Sequence, residues 1–236
     1  MAGLDFQRAR SSAAKQLRET AILDAARALG AQRGIRQITL TEIADAVGMH
    51  KSALLRYFET REQIFLRLTA DGWREWSAAL RAELDGMAGP EVAAVADPVA
   101  AGEGGSDPAA MAGVAAAFAG TLAARGFFCD LLAQAPLNLE RHVSVEAVRA
   151  FKLVTLTEVG AIVTAVRRLL PGLTEPEGID LVAAATSMSG AFWQMATPGP
   201  ELATLYRSDP RLAHAMVEVE PRVARLLEAM LRGMFS

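Results

Sequence analysis

The side chains that hold metals or shuttle protons are few in this 236-residue chain, and their spacing assembles neither chemistry. His50, His142 and His214 stand far apart, with no second His or Cys at ligand spacing. Cys129 is the only cysteine, which rules out an intrachain disulfide and argues against a cysteine-based metal site. No nucleophile elbow, phosphate-binding loop or dinucleotide fingerprint occurs, and no two carboxylates are set up as an acid–base pair. Enzymatic activity, a metal and a cofactor are therefore not expected. What the chain does offer is a short segment, Thr39 to Arg61, where hydroxyls, Lys51 and Arg56 are threaded between apolar residues. Hydroxyls and helix N-termini bind phosphate, and Lys or Arg reaches the acceptors on a guanine edge.

Such groups need a rigid frame. Helical periodicity starts at about Ser12 and runs to Gln32, with Leu17, Ala21, Ile22, Ala25, Ala26 and Leu29 on one face and Gly34 as the stop. Thr39 and Glu42 have the spacing of a capping box. The helix they open would bury Ile43, Ala44 and Val47, and Gly48 suits a turn with positive φ. Lys51 to Phe58 is expected to be a third helix with Leu54 and Phe58 inward. Two short helices joined by a glycine turn and backed by a third form a helix-turn-helix, in which Ala44 must be small because the helices cross there.

A long fourth helix, Arg61 to Leu84, carries an apolar stripe from Ile64 through Trp73 and Trp76. The Gly-, Pro- and Ala-rich stretch 86–105 reads as a mobile loop. Further helices are expected over 108–125, 127–135, 145–170 and 175–195, with Pro198-Gly199-Pro200 as a terminator. A last helix follows Pro210 or Pro221 and ends near Met234. The fold class is all-α, with about nine helices: a three-helix head over residues 1–60 and a larger helical domain over 61–236.

Composition agrees, with 52% hydrophobic and only 6% aromatic residues, much alanine, and few β-branched runs. The net charge of −3 hides an asymmetry: residues 1–70 hold 11 Lys+Arg against 7 Asp+Glu, the rest 13 against 20. A basic head on an acidic body fits a head that meets phosphate. The first residues carry Arg8, Arg10, Lys15 and Arg18 and no apolar core, unlike a signal peptide. Val182 to Pro198 comes closest to a membrane span and is too short and polar. A cytoplasmic location without a membrane partner is expected.

The run from Thr39 to Phe65, above all Tyr57-Phe58 followed by Thr60-Arg61-Glu62 and an apolar pair, resembles the signature of the TetR/AcrR family of transcriptional regulators. The resemblance covers roughly residues 15–70. It implies a homodimer whose two third helices enter successive major grooves of double-stranded DNA at a pseudo-palindromic operator. It also implies roles: Thr39 and Thr41 touch phosphate, His50, Lys51, Ser52, Leu55 and Arg56 form the exposed recognition face, and Tyr57 and Arg61 contact phosphate at its end. The weaker alternative for Tyr57 is a core aromatic, whereas Arg61 with Glu62 reads equally as helix-start surface charge. His50 stands where Ser or Thr is common and should cap poorly, letting the third helix fray; Leu55 stands where Tyr is common and offers only apolar contact.

Such regulators sense a small-molecule effector in a pocket walled by the fourth to eighth helices. Trp73, Trp76, Phe118, Phe127, Phe128, Phe151, Phe192 and Trp193 either line that pocket or fill the core, and Thr155, Glu158, Ser187, Met188 and Gln194 are candidates to complete it. A mainly apolar ligand is expected; a ligand-independent architectural protein would show a solid core instead. The small residues of 183–191 and the last helix (Val223, Leu226, Leu227, Met230, Leu231) are candidate dimer faces.

Overall fold

The computed structural model describes residues 2–87 and 107–235. Most of the expected 86–105 loop lies outside the described residues; Gly86 and Met87 instead continue a helix. Every regular element among the described residues is helical.

The head comprises α1 (Ala2–Arg33), a 3-10 turn (Ile35–Gln37), α2 (Leu40–Ala46) and α3 (Lys51–Leu54). α1 starts well before the expected Ser12, since apolar periodicity marks where a helix packs and no proline ends it sooner. Gly34 and Gly48 adopt φ of 81° and 64°, the left-handed values their turns require. Ile22, Ala26, Ile35, Ile38, Ile43, Ala44 and Leu54 close the small core. α3 is shorter than the expected Lys51–Phe58. Its C-terminal amides bond three residues back, Arg56 to the Ala53 carbonyl and Tyr57 to that of Leu54, which tightens the last turn out of α-helical geometry.

α4 (Arg61–Met87) leaves the head and enters the body, where it packs along α7 (Val145–Leu169). The body also contains α5 (Pro108–Ala123), α6 (Gly126–Gln134) with a π turn (Ala135–Leu139), α8 (Glu175–Ala196), α9 (Pro200–Ser208), a 3-10 segment (Pro210–Ala215) and α10 (Val219–Met234). α9 is an extra helix. Pro198-Gly199-Pro200, expected only as a terminator, also starts a helix, because proline fits the first helical position.

α10 corrects a second expectation. Val223, Leu227 and Leu231 are fully buried within the chain, in a helix that packs on α5 and α8, so these three are not a free dimer face; Leu226 is exposed and Met230 half-buried. On α8 the small residues divide. Ser189 and Gly190 are buried on the side facing α6; a Cβ on Gly190 would meet the Ala133 backbone nitrogen at 3.0 Å. Ala183, Ser187 and Ala191 face outward.

Candidate nucleic-acid interface

Glu42 organises the start of α2. Its carboxylate accepts from the Thr39 amide at 2.7 Å, the Thr39 hydroxyl at 2.8 Å and the Arg33 guanidinium at 2.8 Å, while the Thr39 oxygen accepts from the Glu42 amide at 3.2 Å. The expected capping box is formed. These donors, the Thr39 amide foremost, hold the Glu42 carboxyl down to about 2 from its ordinary 4.5. A carboxyl lowered on folding adds stability above pH 4.5 and loses it as the pH falls toward 2. Acid titration of the head, followed by amide exchange at Ile43, is expected to show protection lost over that window, and Glu42→Gln to remove that pH dependence.

His50 caps α3 after all. Its Nδ1 accepts from the Ser52 amide at 3.4 Å and lies 2.8 Å from the Ser52 hydroxyl. An imidazole nitrogen here takes the acceptor place of the usual hydroxyl oxygen.

Leu54 and Phe58 anchor α3 from below. Lys51, Ser52, Leu55 and Arg56 then share the outer surface, with Thr39 and Thr41 exposed beside them. Among the described residues neither Lys51 nor Arg56 has an ionic partner. Tyr57 is half-buried against the core. Arg61 points the other way. It donates to the carbonyls of Ile35 at 2.6 Å and Ile38 at 3.1 Å, pairs with Glu62 at 3.1 Å, and lies over the Phe65 ring. Its guanidinium clamps the 3-10 turn to the start of α4.

This arrangement coincides with two family matches. Residues 22–68 match the family described as bacterial regulatory proteins, tetR family, and residues 70–236 match the tetracyclin repressor-like C-terminal domain. The chain belongs to the TetR family. Its fold is that of a DNA-binding transcriptional regulator, in a family that is typically non-enzymatic and whose members bind DNA operators and small effectors, usually as dimers. Among solved structures it is similar to a putative TetR-family transcriptional regulator from Mesorhizobium loti MAFF303099, at 13% identity and TM-score 0.50 over 93% of this chain and 96% of the other. It is also similar to the fatty acid degradation regulator FadR from Bacillus halodurans, at 13% identity and TM-score 0.49 over 91% and 96%. A third similarity is to the probable transcriptional regulatory protein RHA5900, at 20% identity and TM-score 0.36 over 92% and 99%. No curated protein sequence matches this chain significantly. Among the described residues no single helix is long and apolar enough to cross a membrane, and no group of acidic, His or Cys side chains is placed to hold a metal.

In the body of this TetR-family chain the expected ligand residues do not converge. Trp76 and Phe118 have no accessible surface, so no water-sized cavity touches them. They pack edge to face at 6.0 Å, and Trp73 and Phe128 complete the cluster. Phe151 lines a slot of about 220 Å³ with Phe58, Leu66, Ala70 and Val154 between α4 and α7. Phe127, Trp193 and Gln194 line a different hollow of about 610 Å³, between α1, the 3-10 turn, α6 and α8. Phe192 lies under Arg222, the Thr155 hydroxyl donates to the Phe151 carbonyl, and Glu158 and Met188 are half-buried.

The sequence reading missed Asp130, which floors the larger hollow. Its one signal is a lone carboxylate in the apolar run Phe127-Phe128-Cys129-Asp130-Leu131-Leu132. Beside it, burial foremost and then the Asp130 charge push the Cys129 thiol up to about 12, which leaves it a poor nucleophile.

Proposed function

We propose that the chain is a homodimeric transcriptional repressor that binds a pseudo-palindromic operator through α3 and is released by a small, mainly apolar ligand. The observation that carries this reading is the outward Lys51 and Arg56, without an ionic partner among the described residues, on a helix anchored by Leu54 and Phe58. Thr39 and Thr41, with Tyr57 at the far end, flank that face as phosphate contacts. Arg61 would contact phosphate only by giving up its carbonyl clamp. A titration of the inverted repeat in the DNA flanking the gene tests this. Lys51→Ala or Arg56→Ala is expected to weaken binding by about 1–3 kcal/mol if either makes a bidentate base contact. Unchanged affinity for both variants overturns the recognition face.

For the dimer, the outer faces of α7 and α8 are the candidate surface. Leu153, Leu156 and Gly160 are exposed on α7, and Ala183, Ser187 and Ala191 are exposed on α8, which packs on α7. Two such faces would stack as a four-helix interface with closely approaching backbones. Leu156, at 69% exposure, is the apolar side chain most in need of cover there. Leu156→Glu is expected to give a monomer in light scattering after size exclusion; a dimer of unchanged stability would refute this face.

Release would act through the α4–α7 slot. At about 220 Å³ it is below the usual range for a ligand pocket, so an apolar ligand must separate α4 from α7 to enter. Phe58 and Phe151 both line this slot, which links it to the end of the recognition segment. A ligand that binds the widened state preferentially tilts α4, shifts the head, and lowers operator affinity by its differential affinity for the two states.

A further inference from the structure

Asp130 occupies a place where carboxylates are rare. It lies in α6 between Cys129 and Leu131, all three buried, and is itself 7% exposed. Among the described residues no Lys or Arg pairs with it. Two neutral donors satisfy it from opposite sides. The Ile35 amide donates to Oδ2 and the Gln194 side-chain amide to Oδ1, each at 2.8 Å. A buried carboxylate is costly unless such bonds are made, and its loss would orphan the amide of Ile35, a residue that is itself buried.

The two donors belong to different parts of the molecule. Ile35 opens the 3-10 turn of the head, whereas Gln194 lies in the last turn of α8. That turn is gripped on its carbonyl side by Arg61 of α4, and it leads directly into Thr39, the N-cap of α2. Ile35, at the start of the segment that orients α2 and α3, is therefore held through its carbonyl by α4 and through its amide by a carboxylate shared with α8, while α4 also holds Ile38 at the far end. Beside this tie the 610 Å³ hollow opens between head and body, while Phe127 of α6 packs closely against Gly30 of α1.

We propose that Asp130 is a positioning residue for operator binding: it couples α8 to the Ile35 turn and so sets the separation and tilt of the two recognition helices. The proposal rests on the reading of the chain as a dimeric operator-binding protein. Asp130 touches no DNA. It acts through the turn, and a movement of α8 that withdraws Gln194 loosens one side of the tie.

The test uses the full chain and duplexes carrying the inverted repeat with its half-sites moved by one or two base pairs, together with a duplex bearing a single half-site. The unmodified protein is expected to prefer one spacing. Asp130→Ala is expected to bind that spacing about tenfold more weakly, to lose its preference among spacings, and to keep its affinity for the single half-site. Amide exchange at Ile35 should accelerate in the same variant. Asp130→Asn retains an oxygen for the Ile35 amide, and Gln194 can turn its own amide over to accept from the new NH₂ group, so both properties should return. Where Asp130→Ala does not fold, Gln194→Leu at its half-exposed position decides the matter, with an expected loss of about threefold and a broadened spacing preference. An unchanged spacing preference overturns the proposal. So does an equal loss on the single half-site and the full repeat, which is what a merely structural role produces. Failure of the unmodified protein to bind any inverted repeat overturns the operator-binding reading as well, whereas normal binding with unaffected variants overturns this proposal alone.

Discussion

Trp76→Ala is expected to destabilise the protein by about 3–5 kcal/mol, the range for removing a large aromatic side chain from a sealed core. Three effects combine. The indole has no accessible surface, so its whole apolar area returns to water on unfolding. It packs at an angle against Trp73 at 5.4 Å, Phe118 at 6.0 Å and Phe128 at 6.0 Å, and those contacts vanish together. Its Nε1 also donates to the Thr121 hydroxyl at 3.0 Å, tying α4 to α5. A loss of this size is a large share of the roughly 5–15 kcal/mol that holds a domain together. Urea denaturation measures it, with Trp76→Phe as the control that keeps a ring and loses the hydrogen bond. A loss below about 1 kcal/mol would mean that the indole lines an adaptable cavity.

Arg61→Met is expected to destabilise the head by about 3 kcal/mol, since it removes two charge-assisted hydrogen bonds made by a half-buried guanidinium. The carbonyls of Ile35 and Ile38, both on buried residues, lose these donors, and the Phe65 ring loses its cation. Methionine keeps the length and apolar stem of the side chain, so the loss reports the guanidinium. Arg61→Lys should recover only part of it, because a single ammonium cannot reproduce the planar fork. Thermal unfolding in the absence of DNA is the readout. Unchanged stability combined with weaker operator binding would return Arg61 to a phosphate-contacting role.

The head was legible in the sequence because its signals are local. The Thr39–Glu42 box spans four residues, Gly34 and Gly48 mark turns that only positive φ can make, and Leu54 and Phe58 point inward by simple periodicity. Where the sequence misled, a longer-range partner or an ambiguous residue was involved. His50 caps through an atom not usually counted as a cap. Pro200 ends one pattern and starts another. The α10 stripe looked available for a second copy because nothing local says that α5 already covers it. The aromatic set read as a possible cavity because residue types do not reveal whether rings meet edge to face and seal, as Trp76 and Phe118 do. Asp130 was the hardest to see: its partners lie 95 and 64 residues away in the chain, beyond any local pattern.

Operator recognition requires α3 to read base edges symmetrically in two half-sites. A scan that replaces each base pair of the inverted repeat in turn, titrated with the unmodified protein and with Arg56→Ala, tests it most directly. The expected result is that Arg56→Ala loses discrimination at one base pair and at its symmetry mate while discrimination elsewhere is kept. Discrimination that is unchanged everywhere, or lost evenly at all positions, would contradict it.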